Sequence, residues 1–386
     1  MAKIKLLYTL SSLHGGGAER IGINLLKNFD RKKFDCGLFL HKKEGQYLRQ
    51  LPDAVQLQYL LTEAHNTLIR KLLSVIVLPW LLLRMIAIGQ KYDVLVAGLE
   101  STYITYATIL SGLLNKKPVI VIVHNDISNN TALKQTFHFQ IIKWLYPYCT
   151  QCICVSKGVM DGVVNEIPQL AGKATVLYNP LAIGDIFKMG QEPIDADIKK
   201  PYIVTSGRLE KIKRFDLLIR AHYKVLNKGI AHQLVIVGEG NCKNELLQLI
   251  EELGVASSVL LTGFDNNPYR WVSKAHCFVL CSENEGFGNV IVEALAVNTP
   301  VISTDCPSGP REILDNGKYG ILVSNKNLDE LADAIVTMFN NPEQYNYYKS
   351  VSFRRSEIFS IEKVIVEWEE LIEKVYLHFY DTPQKA

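Results

Sequence analysis

Ser282-Glu283-Asn284-Glu285-Gly286-Phe287-Gly288-Asn289-Val290-Ile291-Val292-Glu293-Ala294-Leu295 follows closely on a short apolar run, Phe278 to Leu280, and its reading settles the class of the fold. The run has the length and composition of a buried strand, Gly286 and Gly288 make a turn, and Val290 onward opens a helix. Strand, tight loop and helix in that order form the repeating unit of a parallel sheet covered by helices. Glu285 then stays in the loop above the sheet, while Glu293 sits about one turn into the helix. Two carboxylates so placed face one crevice and can hold hydroxyls of two different rings, and the helix-start amides at Asn289 and Val290 can receive a phosphate. The same residues also read as a capping pair beside a packed glycine turn, and the motif alone leaves both readings open.

The alternation extends over the whole chain. Strand-like runs fall at Ile4 to Leu10, Cys36 to Leu40, Asp93 to Ala97, Val119 to Val123, Cys152 to Val155 and Thr175 to Leu177. A second series follows Pro201: Tyr202 to Ser206, Leu234 to Val237, Val259 to Thr262, Phe278 to Leu280, Val301 to Ser303 and Ile321 to Val323. Helix-like patterns separate them, so the expectation is an α/β protein of two Rossmann-like domains. The proline- and glycine-bearing stretch Asn179 to Pro201 has little periodicity and reads as a linker. The expected boundaries are 1–185 for the first domain, 186–200 for the linker, 201–356 for the second domain and 357–386 for a final helix. That helix carries Ile361, Val364, Ile365, Trp368, Leu371, Ile372 and Val375 on one face.

The 386 residues carry 42 Lys and Arg against 39 Asp and Glu, a balance that leaves no electrostatic footprint for nucleic acid and requires any anion site to be built locally. Eight cysteines and an N-terminus that enters a strand directly predict reduced thiols and a cytoplasmic protein. The apolar stretch Leu72 to Gly89 contains Pro79 and Arg84 and is flanked by Arg70, Lys71 and Lys91. It admits a membrane span, a helix on an anionic bilayer surface or a buried helix, and the last fits the charges best. The aromatic stretch Phe137 to Tyr148 adds weight to surface attachment, although such stripes usually face a core.

Two further loops have the chemistry of anion sites. Gly15, Gly16 and Gly17 stand between the first strand and its helix, where a backbone without Cβ atoms can approach a phosphate; the alternative is a tight strand-to-helix turn. Gly207-Arg208-Leu209-Glu210-Lys211-Ile212-Lys213-Arg214 follows the first strand of the second half and puts four cations at a strand's carboxyl end, where ligands bind in parallel sheets. A solvated charged loop is the other reading.

Taken together, these loops resemble those of the retaining GT-B glycosyltransferases of family 4, over nearly the whole chain and most closely from Tyr202 to Leu314. Gly238-Glu239-Gly240, Thr262-Gly263-Phe264 and Ser308-Gly309-Pro310-Arg311-Glu312 complete the pattern. The resemblance implies two parallel-sheet domains facing a central cleft, with the last helix returning to the first domain. It implies that Arg208 and Lys213 grip a donor diphosphate and that the Gly15, Gly16 and Gly17 backbone closes over it. Glu285 would hold sugar hydroxyls and Glu293 the ribose. Gly286, Phe287, Gly288, Asn289 and Val290 would meet sugar and phosphate through main-chain groups, and Gly238 and Phe264 would border the nucleobase. His124, just beyond the strand Val119 to Val123, matches the family's histidine beside the reacting carbon; outside the family such a residue is an ordinary loop histidine. The chain departs from the pattern at Lys211-Ile212, where Pro-Glu is usual, and at Arg214, where glycine is frequent and a second cation competes with Lys213.

Asp195-Ala196-Asp197 has the form of a metal-diphosphate motif but lies in the expected linker, and the cysteines lack paired zinc spacing, so neither a metal nor another cofactor is expected. The implied reaction is transfer of a hexosyl or N-acetylhexosaminyl group from a nucleotide donor to a hydroxyl. The Asp305 to Glu312 run resembles that of transferases using UDP-galactose-type donors, which favours UDP. The implied acceptor is a lipid-linked glycan or lipopolysaccharide, reached by a peripheral protein on the inner, anionic face of the plasma membrane. Sugar-nucleotide 2-epimerization, silent nucleotide binding and membrane-surface scaffolding are the alternatives.

Overall fold

The structure, a computed structural model, describes residues 3–62, 67–128, 131–194, 198 and 201–381. It divides into two units: Met1–Pro180 with Ile361–Ala386, and Leu181–Ser360.

In the first unit, among the described residues, seven parallel strands form one sheet: β1 Ile4–Leu10, β2 Phe34–Lys43, β3 Gln56–Thr62, β4 Val94–Ala97, β5 Val119–Val123, β6 Gln151–Cys154 and β7 Ala174–Val176. Their order is β3-β2-β1-β4-β5-β6-β7. Helices on both faces explain why the central strands are nearly continuous Val, Ile and Leu; β5 is buried throughout. The order reverses between β1 and β4, where the loops leaving them diverge and open a crevice. β3 was not expected. Its Gln56-Leu57-Gln58-Tyr59 sequence lacks an apolar run because it is an edge strand, and none of residues 56–61 is buried.

The final helix, Ile361–Asp381, belongs to this unit. Val364, Trp368, Ile372 and Val375 are buried, and the Glu369 carboxylate accepts the Asp30 backbone N–H at 2.7 Å just beyond the helix Gly17–Asn28. The helix Thr67–Gly89 buries Leu81, Met85 and Ile88, and Ser111 and Asn115 of the helix Tyr103–Asn115 donate to its Met85 and Ile86 carbonyls at 2.8 Å. Trp80 and Leu83 are exposed on the same helix, as are Phe137 and Trp144 on Phe137–Leu145. Among the described residues no helix is long and apolar enough to cross a membrane.

The second unit holds a six-stranded parallel sheet, counted among the described residues: β8 Tyr202–Ser206, β9 Gln233–Val237, β10 Val259–Gly263, β11 Cys277–Leu280, β12 Val301–Thr304 and β13 Ile321–Val323, in the order β10-β9-β8-β11-β12-β13. The reversal here lies between β8 and β11. The linker expected at 186–200 begins inside a helix, Ile183–Gly190, that belongs to this unit. Phe187 packs edge-on against Phe353, and Ser273 and Asn267 donate to the Gly190 and Met189 carbonyls, contacts that a count of glycines and prolines does not reveal. The second unit runs through the turn Glu357–Phe359 to Ser360, four residues past the expected boundary. Asp195-Ala196-Asp197 lies outside the described residues. All eight cysteines are buried and unpaired, and among the described residues no three His, Cys, Asp or Glu side chains are grouped to hold a metal.

A buried hydrogen-bonded chain crosses the second unit. His232 Nδ1–H donates to the Ile230 carbonyl (2.9 Å), which leaves His232 Nε2 to accept His222 Nδ1–H (2.9 Å) and His222 Nε2 to accept from Ser258 Oγ (2.8 Å). Both rings are neutral in this arrangement, and burial pushes the His222 pKa down to about 3. An unfolded histidine titrates near about 6.5, so between those values the unfolded chain binds the additional proton. The stabilisation is complete above pH 6.5 and is lost as pH falls toward 3. Thermal denaturation is expected to show the melting temperature of this unit dropping progressively from pH 7 to pH 4, and His222→Gln to flatten that dependence.

Candidate active site

At the reversal between β8 and β11 the two neighbouring loops are tied together. Beyond β8, Gly207 N–H donates to the Val237 carbonyl (3.0 Å), and the chain passes Arg208 into a single 3-10 turn, Lys211–Lys213. That turn directs Lys213 toward the β11 loop, where its Nζ meets Glu285 Oε1 at 2.6 Å across 72 residues of sequence. Ser282 Oγ donates to the same carboxylate oxygen at 2.6 Å, and Glu283 N–H donates to the Ile212 carbonyl at 2.8 Å. The side chains of Lys213 and Glu285 are 21% and 11% exposed, so the pair is held in a partly desolvated place while further donors of the ammonium remain for a ligand. Arg208 differs: its 2.9 Å pair with Glu210 lies on a side chain 76% exposed, and such a surface contact is easily exchanged for an incoming anion.

Arg214, the second cation beside Lys213, is itself paired with carboxylates of Asp216 and Glu283. Its Nε and one terminal nitrogen bond both Asp216 oxygens (3.0 and 3.1 Å), and the carboxylate raises its pKa. Its φ of 49° is the left-handed conformation that favours glycine, which accounts for the residue type expected there.

The neighbouring loops close the floor. Gly238, with φ 146°, lies against the Gly207 carbonyl and donates to the Gly263 carbonyl at 2.9 Å. Phe264, next in the chain, is 60% exposed and offers an uncovered ring at the carboxyl end of β10. Gly286, Phe287 and Gly288 are buried; Gly288 precedes the helix Asn289–Ala296, and the Phe287 ring packs edge-on against Phe359. Asn289 and Val290 are half-buried at the helix start. Glu293, one turn on, is buried and accepts from the Tyr269 hydroxyl at 3.4 Å. Thr304 Oγ1 donates to the Ser282 carbonyl (2.7 Å), and Gly309 sits on the Phe287 backbone, so the β12 loop buttresses the β11 loop.

In the first unit the glycine loop lies at the reversal beyond β1. Gly15 and Gly16 N–H groups already point at an anion: both donate to Glu19 Oε2, at 2.7 and 3.1 Å. Glu19 therefore caps its own helix Gly17–Asn28. The loop is a nest of amides that accommodates a carboxylate, and the anion it holds here is internal. His124, beyond β5, is buried with Nε2 3.1 Å from the Gly98 carbonyl, and burial lowers its pKa. A carbonyl can only accept, so Nε2 carries the proton and the neutral ring keeps Nδ1 as an acceptor.

Ser282, Glu19, Tyr269 and Glu100, which bonds the His124 backbone, had no role in the sequence reading. The strand order that brings β1, β4 and β5 side by side would have singled out Glu100, a carboxylate at the end of a buried strand.

A family model described as "Glycosyltransferase Family 4" matches residues 15–183, and one described as "Glycosyl transferases group 1" matches residues 190–354. The N-acetylgalactosamine-N,N'-diacetylbacillosaminyl-diphospho-undecaprenol 4-alpha-N-acetylgalactosaminyltransferase of Campylobacter jejuni is 31% identical over 370 residues, which cover 93% of this chain and 97% of that one. The GalNAc-alpha-(1->4)-GalNAc-alpha-(1->3)-diNAcBac-PP-undecaprenol alpha-1,4-N-acetyl-D-galactosaminyltransferase of the same organism is 25% identical over 375 residues, covering 96% and 99%. Anabaena HepE in complex with UDP shares the fold with a TM-score of 0.77 at 19% identity, over 96% of this chain and 100% of that one. A likeness that runs nearly the full length of a relative, with each family model matching one of the two parallel-sheet units, places the chain in glycosyltransferase family 4, as a hexosyltransferase of GT-B fold.

Proposed function

We propose that the chain transfers a hexosyl or N-acetylhexosaminyl group from a UDP-sugar, with retention, to a hydroxyl of a lipid-linked glycan or lipopolysaccharide. The Lys213–Glu285 pair carries this reading: it sets an ammonium and a hydroxyl-binding carboxylate side by side at the switch point, where a nucleotide-sugar needs both. Arg208 and Lys213 hold the diphosphate, Glu285 the sugar hydroxyls and Glu293 the ribose. The exposed Phe264 ring and the Gly238 turn border the uracil, the Gly286 to Val290 backbone meets sugar and phosphate, and His124 lies beside the anomeric carbon. Gly15, Gly16 and Gly17 supply amides for a second anionic contact.

The acceptor oxygen bonds to the anomeric carbon on the face from which the phosphate leaves. The bond from that carbon to the β-phosphate oxygen breaks, and the departing phosphate takes the acceptor's proton. Fixed cations and oriented amides stabilise the leaving charge with no metal. UDP in the HepE complex and the undecaprenol diphosphate acceptors of the two Campylobacter relatives support the donor and acceptor classes. The exposed Trp80, Leu83, Phe137 and Trp144 support peripheral attachment to the inner face of an anionic membrane, and the buried free cysteines a cytoplasmic setting.

A panel of UDP- and GDP-sugars tested for slow hydrolysis without acceptor decides the donor. Release of UDP from one of them, unaffected by EDTA and with calorimetric affinity for UDP above that for GDP, is the expected result. Tighter GDP binding overturns the donor assignment. Conversion of the sugar to its epimer, or UDP binding without release from any donor, overturns the transferase reading itself.

A further inference from the structure

We infer that Glu100 is a positioning residue for this reaction, holding the backbone at His124 and Asn125 so that the ring, hydrogen-bonded through Nε2 to the Gly98 carbonyl, presents Nδ1 as an acceptor toward the substrate. The inference rests on the assignment of His124 to the reacting centre made above.

Glu100 is 8% exposed, in the loop that leaves β4 at the reversal of the first sheet. Both carboxylate oxygens are spent on the neighbouring β5 loop: Oε2 accepts the His124 backbone N–H at 3.0 Å, and Oε1 accepts the Asn125 side-chain amide at 2.5 Å. Two residues before it, the Gly98 carbonyl accepts a hydrogen bond from the His124 ring Nε2–H. One short segment thus fixes the histidine at main chain and ring together.

The segment is itself held rigidly. A Cβ at Gly98 would meet the Tyr8 ring at 2.2 Å, and Gly98 N–H donates to the Thr9 carbonyl (3.0 Å). Ser101 adopts φ 59° and donates its backbone N–H to the Tyr146 hydroxyl at 3.1 Å. Holding a non-glycine residue in that conformation costs on the order of 1 kcal/mol, a strain that the surrounding contacts must offset.

Glu100 is buried and both its oxygens hold donors of the β5 loop, which suits it to fixing that loop. Its negative charge favours protonation of His124, burial opposes it, and the ring stays below its ordinary pKa. Among the described residues Glu100 is the charged neighbour acting on the ring; the Tyr146 hydroxyl from the adjoining turn lies beside Glu100, and burial keeps it protonated.

The test measures acceptor-free hydrolysis of the UDP-sugar that the wild-type enzyme cleaves fastest, across pH, for Glu100→Gln, His124→Ala and the double variant. Glu100→Gln is expected to lower kcat about tenfold or more, with donor KM changed less than about threefold. Removing the charge lowers the His124 pKa further, so the acid limb of the rate profile, where the ring becomes protonated, moves to lower pH. In the His124→Ala background Glu100→Gln is expected to cost nothing more.

A slow Glu100→Gln variant whose acid limb stays in place has lost only a structural contact, and overturns the inference. So does a slow His124→Ala enzyme beside a Glu100→Gln enzyme of wild-type rate. Wild-type turnover by His124→Ala overturns instead the assignment of His124, and this inference with it. Should Glu100→Gln fail to fold, nitrogen-15 spectra of histidine-labelled wild-type protein at pH 7 decide: the neutral tautomer with its proton on Nε2 is expected, and a proton on Nδ1 overturns the arrangement.

Discussion

Alanine at Arg208 or at Glu285 is expected to lower turnover at least about 100-fold, the loss of a few kcal/mol of transition-state stabilisation. The two variants separate in stability. Arg208 is mostly exposed and pairs with Glu210 across the surface, so its removal leaves the melting temperature unchanged and the loss is purely kinetic. Glu285 is the partner of a half-buried ammonium and the acceptor of the Ser282 hydroxyl. Its removal leaves both donors unmatched, at a cost of about 1–3 kcal/mol for the buried polar groups, and the melting temperature falls along with the rate. Donor hydrolysis beside thermal denaturation checks both; near wild-type rates in the two variants would remove the site from the β8–β11 loops.

Gly238→Ala is expected to unfold the second unit or destabilise it by more than about 4 kcal/mol. A Cβ there would lie 2.0 Å from the Gly207 carbonyl oxygen and 3.0 Å from its carbon, and φ 146° is strained for any residue with a Cβ. Backbone meets backbone at this crossing, so no side-chain rotation relieves the clash; any retreat of Gly207 displaces Arg208, the next residue. Gly184→Ala is the control. It lies in the helix Ile183–Gly190 of the same unit, with nothing within 4 Å of the added methyl, and should gain up to about 1 kcal/mol from helix propensity. Urea denaturation of both variants checks the contrast.

Local pattern reveals what depends on local pattern. The central strands of both sheets announce themselves as uninterrupted β-branched runs because helices cover both their faces, and the glycine loops after β1 and β11 are visible because a chain without Cβ atoms is needed there. The edge strand β3 escapes because Gln56 and Gln58 interrupt its apolar positions, and the helix Ile183–Gly190 because it is short and flanked by linker-like residues. Within the site, residue types are legible and partnerships are not. Lys213 and Glu285 each stand in a recognisable motif, but only the order of the strands makes them neighbours. Nothing in the spacing says that Arg214 is neutralised by Asp216, that Glu19 turns back onto the Gly15 and Gly16 amides, or that Glu100 clasps the segment at His124.

The assignment of the helix Ile361–Asp381 to the first unit sets an order of birth. On the ribosome the second unit is fully translated by Ser360 and can condense as a continuous stretch, whereas the first, begun earlier, must wait for the last turns of the chain to cover the Gly17–Asn28 helix. During that interval the first unit presents bare apolar surface, so a truncation that removes the helix Ile361–Asp381 would be felt by that unit, although most of it is made far earlier in the chain.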